Sequence, residues 1–483
     1  MPQPAPPVRT PPASDVAPHP APAAAGDNPA GDDPAALSPA RLDALRAAFA
    51  SDPHAGRMQN AVTRTPIDDV ALRRDVVATT DHVFRHRLDD WAVTSQKKSG
   101  RCWLFAGLNL LRVGAMQKLG RKDFQFSQNF CAFWDKLERA NYFFEQIIAT
   151  ADRDLTDRAV AFLLDHPLDD GGQWNMFVHV VKKHGLVPQS AMPETESSGN
   201  TGRMNANLKH LLREGAASLR DLHAAGANRE ALDARKHALV EAVHRVLCIH
   251  LGTPPTRFAW RWEDDERNFL DDGTLTPHDF ATKYVAQNLD DYVCLVHDPR
   301  PPSPVWRLFT VAHLGNVVGA EHGGGVRYLN VEIDVIRDAT RRSLVERKEP
   351  VWMGCDVGQM MHRELGIWDA ELFDYAGVYG AGRTHDKAQR LAYHQTLMTH
   401  AMMFTGVDLD ESGDAASVRR WRVENSWGDE NGVKGFYTMN DNWFDQHVFE
   451  VAVHRDLVPA DLLSALDTEP IELPAWDPMG SLA

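Results

Sequence analysis

The run Trp103, Leu104, Phe105, Ala106, Gly107, Leu108, Asn109, Leu110, Leu111 is apolar on nearly every face of a helix. It predicts a helix buried on all sides, closed near Gly120. A second periodicity, carried by Phe130, Phe133, Trp134, Leu137, Tyr142 and Phe143, predicts an amphipathic helix whose aromatic face is core. Residues 203–250 are charged, rich in Ala and Leu, and spaced as helices. Beyond residue 300 the texture changes to short alternating runs, such as 326–333 and 435–439, which predict strands. Residues 1–37 are rich in Pro and Ala and carry almost no large apolar side chains, so they predict a disordered tail. Ser38 as N-cap and Pro39 as first helical residue mark where ordered chain begins.

One short stretch carries chemistry. Residues 96–103 read QKKSGRCW, with Cys102 at the head of the apolar helix. The free N–H groups and dipole at a helix N-terminus favour a thiolate. Gln96, six residues upstream, can place a side-chain amide beside the backbone N–H of Cys102, and two such donors make an oxyanion hole. Downstream, His400 follows an apolar stretch and Asn425 lies in ENSWG at 424–428. A neutral His can take the thiol proton, and an Asn on its far side fixes the tautomer without adding charge. Singly, each residue has an ordinary structural reading. Taken in the order Gln96, Cys102, His400, Asn425, with a Trp after the Cys and after Asn-Ser, they point to nucleophilic acyl transfer.

That order is the one found in papain-like cysteine peptidases, and the chain resembles them. Two departures narrow the resemblance. Ser99 stands where the signature C-G-[SA]-C-[WY] has its first Cys, so the disulfide made by that Cys is absent. Cys102 and His400 are 298 residues apart, far beyond the usual ~130–150, which implies a domain-sized insertion. Both departures fit the bleomycin hydrolase / aminopeptidase C subfamily. So do DGGQW at 170–174, LGTPP at 251–255, LVHDPRP at 295–301, GCDVG at 354–358, WRVENSWG at 421–428 and LPAWDPMGSLA at 473–483.

The resemblance implies an α+β fold of two papain-like lobes with a helical insertion and a C-terminal arm. The expected division is a tail over 1–37, a helical lobe over 38–202 with Cys102, and a helical insertion over 203–300. A β-rich lobe over 301–456 with His400 and Asn425 follows, then the arm over 457–483. The resemblance also implies an intracellular aminopeptidase acting on peptides with a free N-terminus, assembled as a homohexamer. Gly171, Gly172 and Trp427 are expected to contact substrate. The arm is expected to lie in the cleft, block longer chains, and offer the Ala483 carboxylate to the substrate ammonium. Pro474 and Pro478 prevent a regular helix there, and Leu473, Trp476, Met479 and Leu482 give the arm apolar contacts. The alternatives are a Cys-His amidase or peptidase without a strict amino-terminal requirement, and a binding protein with an idle site. Competent residues at all four positions speak against the second.

Composition narrows the partners. The net charge of −16 argues against general nucleic-acid binding. The apolar run at Cys102 is interrupted by Asn109 and Arg112, and no run reaches the ~20 residues of a membrane span. No secretory signal pattern opens the chain. Five scattered cysteines without a CxxC pair suggest neither zinc nor a disulfide framework, and read as a cytoplasmic, reducing setting. His179 and His184, five apart, do not share a helix face and read as structural. No metal and no cofactor are expected.

Overall fold

A computed structural model describes residues 35–88, 91–319, 324–410 and 417–482. The expected disordered tail falls almost wholly outside these residues, as does Ala483. The chain divides into two compact units. In the first, which ends at Val70 and includes Val378–Gly380, helix α1 (Pro39–Ala50) starts at Ser38, whose Oγ accepts the Arg41 N–H. Helix α2 (Pro53–Val62) is capped in the same way by Asp52.

The second unit, Ala71–Gly377 with the chain from Ala381 onward, contains the rest. Its centre is helix α3 (Cys102–Leu119), buried along almost its whole length and stopped by Gly120 at φ 61°. An all-round apolar helix must be covered on every side. Helices α4 (Gln128–Ala149) and α5 (Trp174–His184) supply part of that cover. Gly107 permits the close approach, since a Cβ there would sit 2.8 Å from the Phe177 ring of α5. Helices α6 (Gly202–Ala224) and α7 (Arg229–Leu251) continue outward from α4.

The remaining cover is a mixed sheet. Its strands are β1 (Tyr292–Val296), β2 (Arg307–Val311), β3 (Tyr328–Asn330), β4 (Val351–Cys355), β5 (His400–Asp410), β6 (Ser417–Glu424), β7 (Phe436–Asn440), β8 (Val448–His454) and β9 (Ile471–Leu473). They run in the order β9-β2-β3-β1-β8-β4-β5-β6-β7, and three two-residue strands complete the sheet. Strand β5 is central and buried on both faces, which accounts for its continuous apolar run. Its register sets His400 opposite Cys355 and Met403 opposite Glu424.

Three expectations need correction. The 203–300 stretch is not wholly helical: it contains a hairpin (Phe258–Glu263 with Phe269–Leu275), and β1 belongs to the central sheet beside β8. The alternation at 326–333 gives only the three residues of β3, because the Asn330 side chain turns to donate to Asp298 O and Ser303 O and a helix begins at Ile333. The aromatic face at 130–143 is split. Phe130, Phe133 and Phe143 are buried core, while half-buried Tyr142 lines the cleft described below, which Phe143 also borders.

Asn109 and Arg112, the polar breaks in the α3 run, fasten helix to sheet. Both donate to Glu424 Oε1, at 2.9 and 2.7 Å, and Trp91 Nε1 donates to Oε2 at 2.5 Å. Glu424 is 2 % exposed. Burial raises its pKa and Arg112 opposes that rise. Removing one partner of a buried pair strands a charge. Arg112→Ala should therefore cost about 3–5 kcal/mol of unfolding free energy. Asp43→Ala, which breaks the exposed pair with Arg46, should cost under ~1 kcal/mol. Urea unfolding of the two variants checks both values.

Candidate active site

The turn before Cys102 is held by hydrogen bonds. Gln96 Nε2 donates to Ser99 O at 2.6 Å, Ser99 Oγ donates to Gln96 O at 2.7 Å, and Lys97 takes the left-handed φ of 53° that closes the turn. Arg101 reaches from this turn to Glu194 at 2.7 and 3.0 Å and to Ser99 Oγ at 3.0 Å. All five cysteines are free. Gln96 is also tied to the segment after Asn425: its N–H donates to Ser426 O at 2.8 Å and its Oε1 accepts from Ser426 Oγ at 2.6 Å. One hydrogen of Nε2 is used on Ser99, which leaves the second for an oxyanion.

Asp170 supports the same turn from below. Its carboxylate accepts from Gly100 N–H (3.2 Å), Lys136 Nζ (2.5 Å), Asn205 Nδ2 (2.7 Å) and Thr201 Oγ1. Burial alone would raise its pKa, but Lys136 and the other donors hold it well below the usual carboxylate range. Its carbonyl accepts the Trp103 indole N–H at 2.7 Å. A Cβ on Gly172 would lie 2.5 Å from that ring, so a side chain there would displace the tryptophan beside the nucleophile. Gly171 offers its carbonyl to Arg139 at 2.5 Å.

Cys102 begins α3 with no side chain capping the helix, so backbone N–H groups of Cys102 and Trp103 remain for its sulfur, and Ala401 N–H adds a third. The structure nonetheless opposes the thiolate expected from the helix end. Cys102 is 2 % exposed, and burial pushes its thiol up to about 11 despite those donors. Burial likewise pushes His400 down to about 4, opposed by its bond to Asn425. Each shift penalises a lone charge. Proton transfer from Sγ to the imidazole creates both charges at once, and their attraction offsets part of the two penalties.

His400 Nε2 donates to Asn425 Oδ1 at 2.9 Å, which leaves Nδ1 as the basic nitrogen. Ser426 N–H donates to the same oxygen at 2.8 Å and fixes the amide. Trp427 packs on the His400 ring at 5.0 Å between centroids, with the Arg363 guanidinium 4.9 Å from the Trp427 ring centroid.

Gln96, Cys102, Gly171 and His400 share the wall of a cleft of about 760 Å³, together with Tyr142, Leu163, His313, Trp476 and Leu482. Asn425, Gly172 and Trp427 stand behind that wall: the first two support His400 and Trp103, and Trp427 shields the His–Asn bond. The arm crosses the cleft. Strand β9 pairs with β2, Asp477 accepts from Arg300 at 2.7 Å, and Trp476 lies 4.0 Å from the Arg158 guanidinium. Ser481 O accepts from Gln173 Nε2 at 2.5 Å, and Ser481 Oγ donates to Met398 O at 2.7 Å, so one arm residue bridges both walls. Leu482 reaches the cleft beyond it.

Sequence reasoning quoted Asp170, Gln173, Arg300 and Glu424 within motifs and assigned them no role. The adjacency of Asp170 to Gly171 and of Glu424 to Asn425 was the available signal, but their partners lie tens to hundreds of residues away.

The Peptidase C1-like family matches residues 36–480. Human bleomycin hydrolase is 41 % identical over 447 residues, covering 91 % of this chain and 97 % of the human one. Aminopeptidase C of Streptococcus thermophilus is 40 % identical over 441 residues, with 91 % and 98 % covered. The crystal structure of PepW from Lactobacillus rhamnosis HN001 aligns with a TM-score of 0.90 at 41 % identity, covering 93 % of this chain and all of that one. Matches of this length and identity, over the α+β architecture and the Cys-His-Asn geometry described above, lead to one conclusion: the chain belongs to the Peptidase C1-like family and is a papain-like cysteine peptidase.

Proposed function

We propose that this protein is a cysteine aminopeptidase that removes residues from the free N-terminus of peptides. The observation that carries the reading is the arm bridging a cleft that also holds Cys102 and His400. Cys102 Sγ attacks the carbonyl carbon while His400 Nδ1 takes its proton. The tetrahedral oxyanion is met by the Cys102 N–H and the remaining Gln96 amide hydrogen. His400 returns the proton to the leaving amine, and a thioester remains. Water, deprotonated by His400, then releases the acid and restores the thiol. Asn425 holds the imidazole in the tautomer this sequence requires. We assign a substrate contact to Gly171, which lines the cleft, supporting positions behind it to Gly172 and Trp427, and the anchor for the substrate ammonium to Ala483, the residue after Leu482. The same acyl transfer would serve the amide hydrolysis after which the bleomycin hydrolase relatives are named. We further assign a homohexamer in the cytoplasm acting without a cofactor. The free cysteines suit a reducing compartment.

The arm supplies the decisive experiment. Deleting residues 479–483 removes the Ser481 bridge and should permit cleavage inside an N-acetylated peptide, while the intact chain releases single residues from a free-amine peptide only. Cys102→Ala in either background should lower kcat by at least ~10³-fold. Mass spectrometry of the products decides the matter, and unchanged single-residue release after truncation would remove the arm from the mechanism.

The pH profile follows from the base. His400 must be neutral to act, so kcat/KM should fall as pH drops through about 4, where it gains a proton. The bond to Asn425 favours that proton, so Asn425→Ala should move the acid limb to lower pH as well as lowering the rate. Steady-state kinetics from pH 3 to 8 check both shifts. Light scattering tests the assembly. The expected mass is about six times the 53.9 kDa of the chain, and a monomer at micromolar concentration would exclude the hexamer.

A further inference from the structure

We propose that Asp356 is a positioning residue for the catalytic base: its carboxylate anchors residues 396–399, the segment that delivers His400 to Cys102. The inference rests on His400 being the base.

His400 is the first residue of β5, at the end of its ladder with β4. Before it, Thr399 N–H donates to Cys355 O at 3.0 Å, and this is the last ladder-like bond the segment makes to β4. Strand ends fray unless something else holds them. Asp356 directly follows β4 and is 5 % exposed. Its Oδ2 accepts from Thr396 Oγ1 at 2.7 Å and its Oδ1 from Thr399 Oγ1 at 3.4 Å. Both hydroxyl donors thus belong to one four-residue segment, and Leu397 and Thr399 from that segment line the cleft beside His400. The segment is wedged as well as bonded: a side chain at Gly354 would collide with the Met398 sulfur.

The chemistry of the donor set specifies the acceptor. An ionised carboxylate accepts at both oxygens and so takes both threonine hydroxyls at once. Asparagine has the same shape but replaces one acceptor oxygen by an NH₂, which the facing hydroxyl can meet only by turning its own hydrogen away. Burial raises the Asp356 pKa and the Thr396 and Thr399 hydroxyls oppose the rise. The nearby Arg390 is turned away, donating to His385 O and Gln446. Hydrogen bonding rather than ion pairing therefore holds the carboxylate, and its strength depends on the geometry of the 396–399 segment. Displacing that segment by ~1 Å would misalign His400 with Cys102, an error of a size that costs about 10²-fold in rate.

The test compares Asp356→Asn, Thr396→Val, Thr396→Ser and His400→Ala in the full chain. Two readouts are used: turnover of an aminoacyl coumarin amide, and the rate of Cys102 alkylation by iodoacetamide in correctly folded protein. Asp356→Asn and Thr396→Val should each lower kcat about 10–100-fold with KM held within about threefold, and slow alkylation in parallel. Thr396→Ser, which restores the hydroxyl, should return both to within about twofold of the parent. If Asp356→Asn and Thr396→Val both keep kcat and alkylation within about twofold, or lose activity only in proportion to their unfolded fraction, the positioning role is overturned. His400→Ala separates this from the underlying reading: if it too leaves alkylation and turnover unchanged, His400 is not the base.

Discussion

A buried carboxylate decides how this molecule is assembled. Glu424 takes donors from two positions of the cysteine helix and from Trp91, and sits one residue before Asn425. A charge with no water around it must keep its partners, because losing one costs several kcal/mol. Helix α3 is otherwise apolar on all sides and could rotate or slide in its greasy socket at little cost. The polar bonds remove that freedom. They set the azimuth of α3, and with it the direction in which Cys102 faces the strands carrying His400 and Asn425.

Around this fixed pair the site is built by the same device repeated. Asp170 gathers Gly100, Lys136, Thr201 and Asn205 beneath the nucleophile turn. Asp298 and Asp477 share Arg300, which seats the arm. Asp170 joins segments 31 to 70 residues apart in sequence, and Asp477 is tied to Arg300 177 residues away. The disulfide missing at Ser99 is replaced by this network: Ser99 closes the turn with hydroxyl bonds and Arg101 ties it to Glu194. Such a design works without oxidising chemistry, in keeping with five free thiols.

The arm and the catalytic pair share one cleft, which Trp476 and Leu482 line together with Cys102 and His400. Burial opposes a lone charge on either residue of the pair, while backbone N–H groups at the helix end and Asn425 act in the other direction.

The sequence by itself determined what local pattern can determine. The all-round apolar run required a buried helix with Cys102 at its head, Gly120 its stop, and Ser38-Pro39 the start of α1. The order Gln96, Cys102, His400, Asn425 and the motifs around it were enough to identify the family. Tertiary structure alone decided the rest. The partners of Glu424, Asp170 and Asp356 are separated from them by up to 333 residues, and no periodicity links an acceptor to such distant donors. Tyr142 reads as core because aromatic spacing on a helix is the same whether the facing surface is packed or is a cleft. The thiol was read as favouring the thiolate because a helix end is visible in sequence. The depth at which that end is buried is a property of the folded whole, and desolvation there opposes the thiolate.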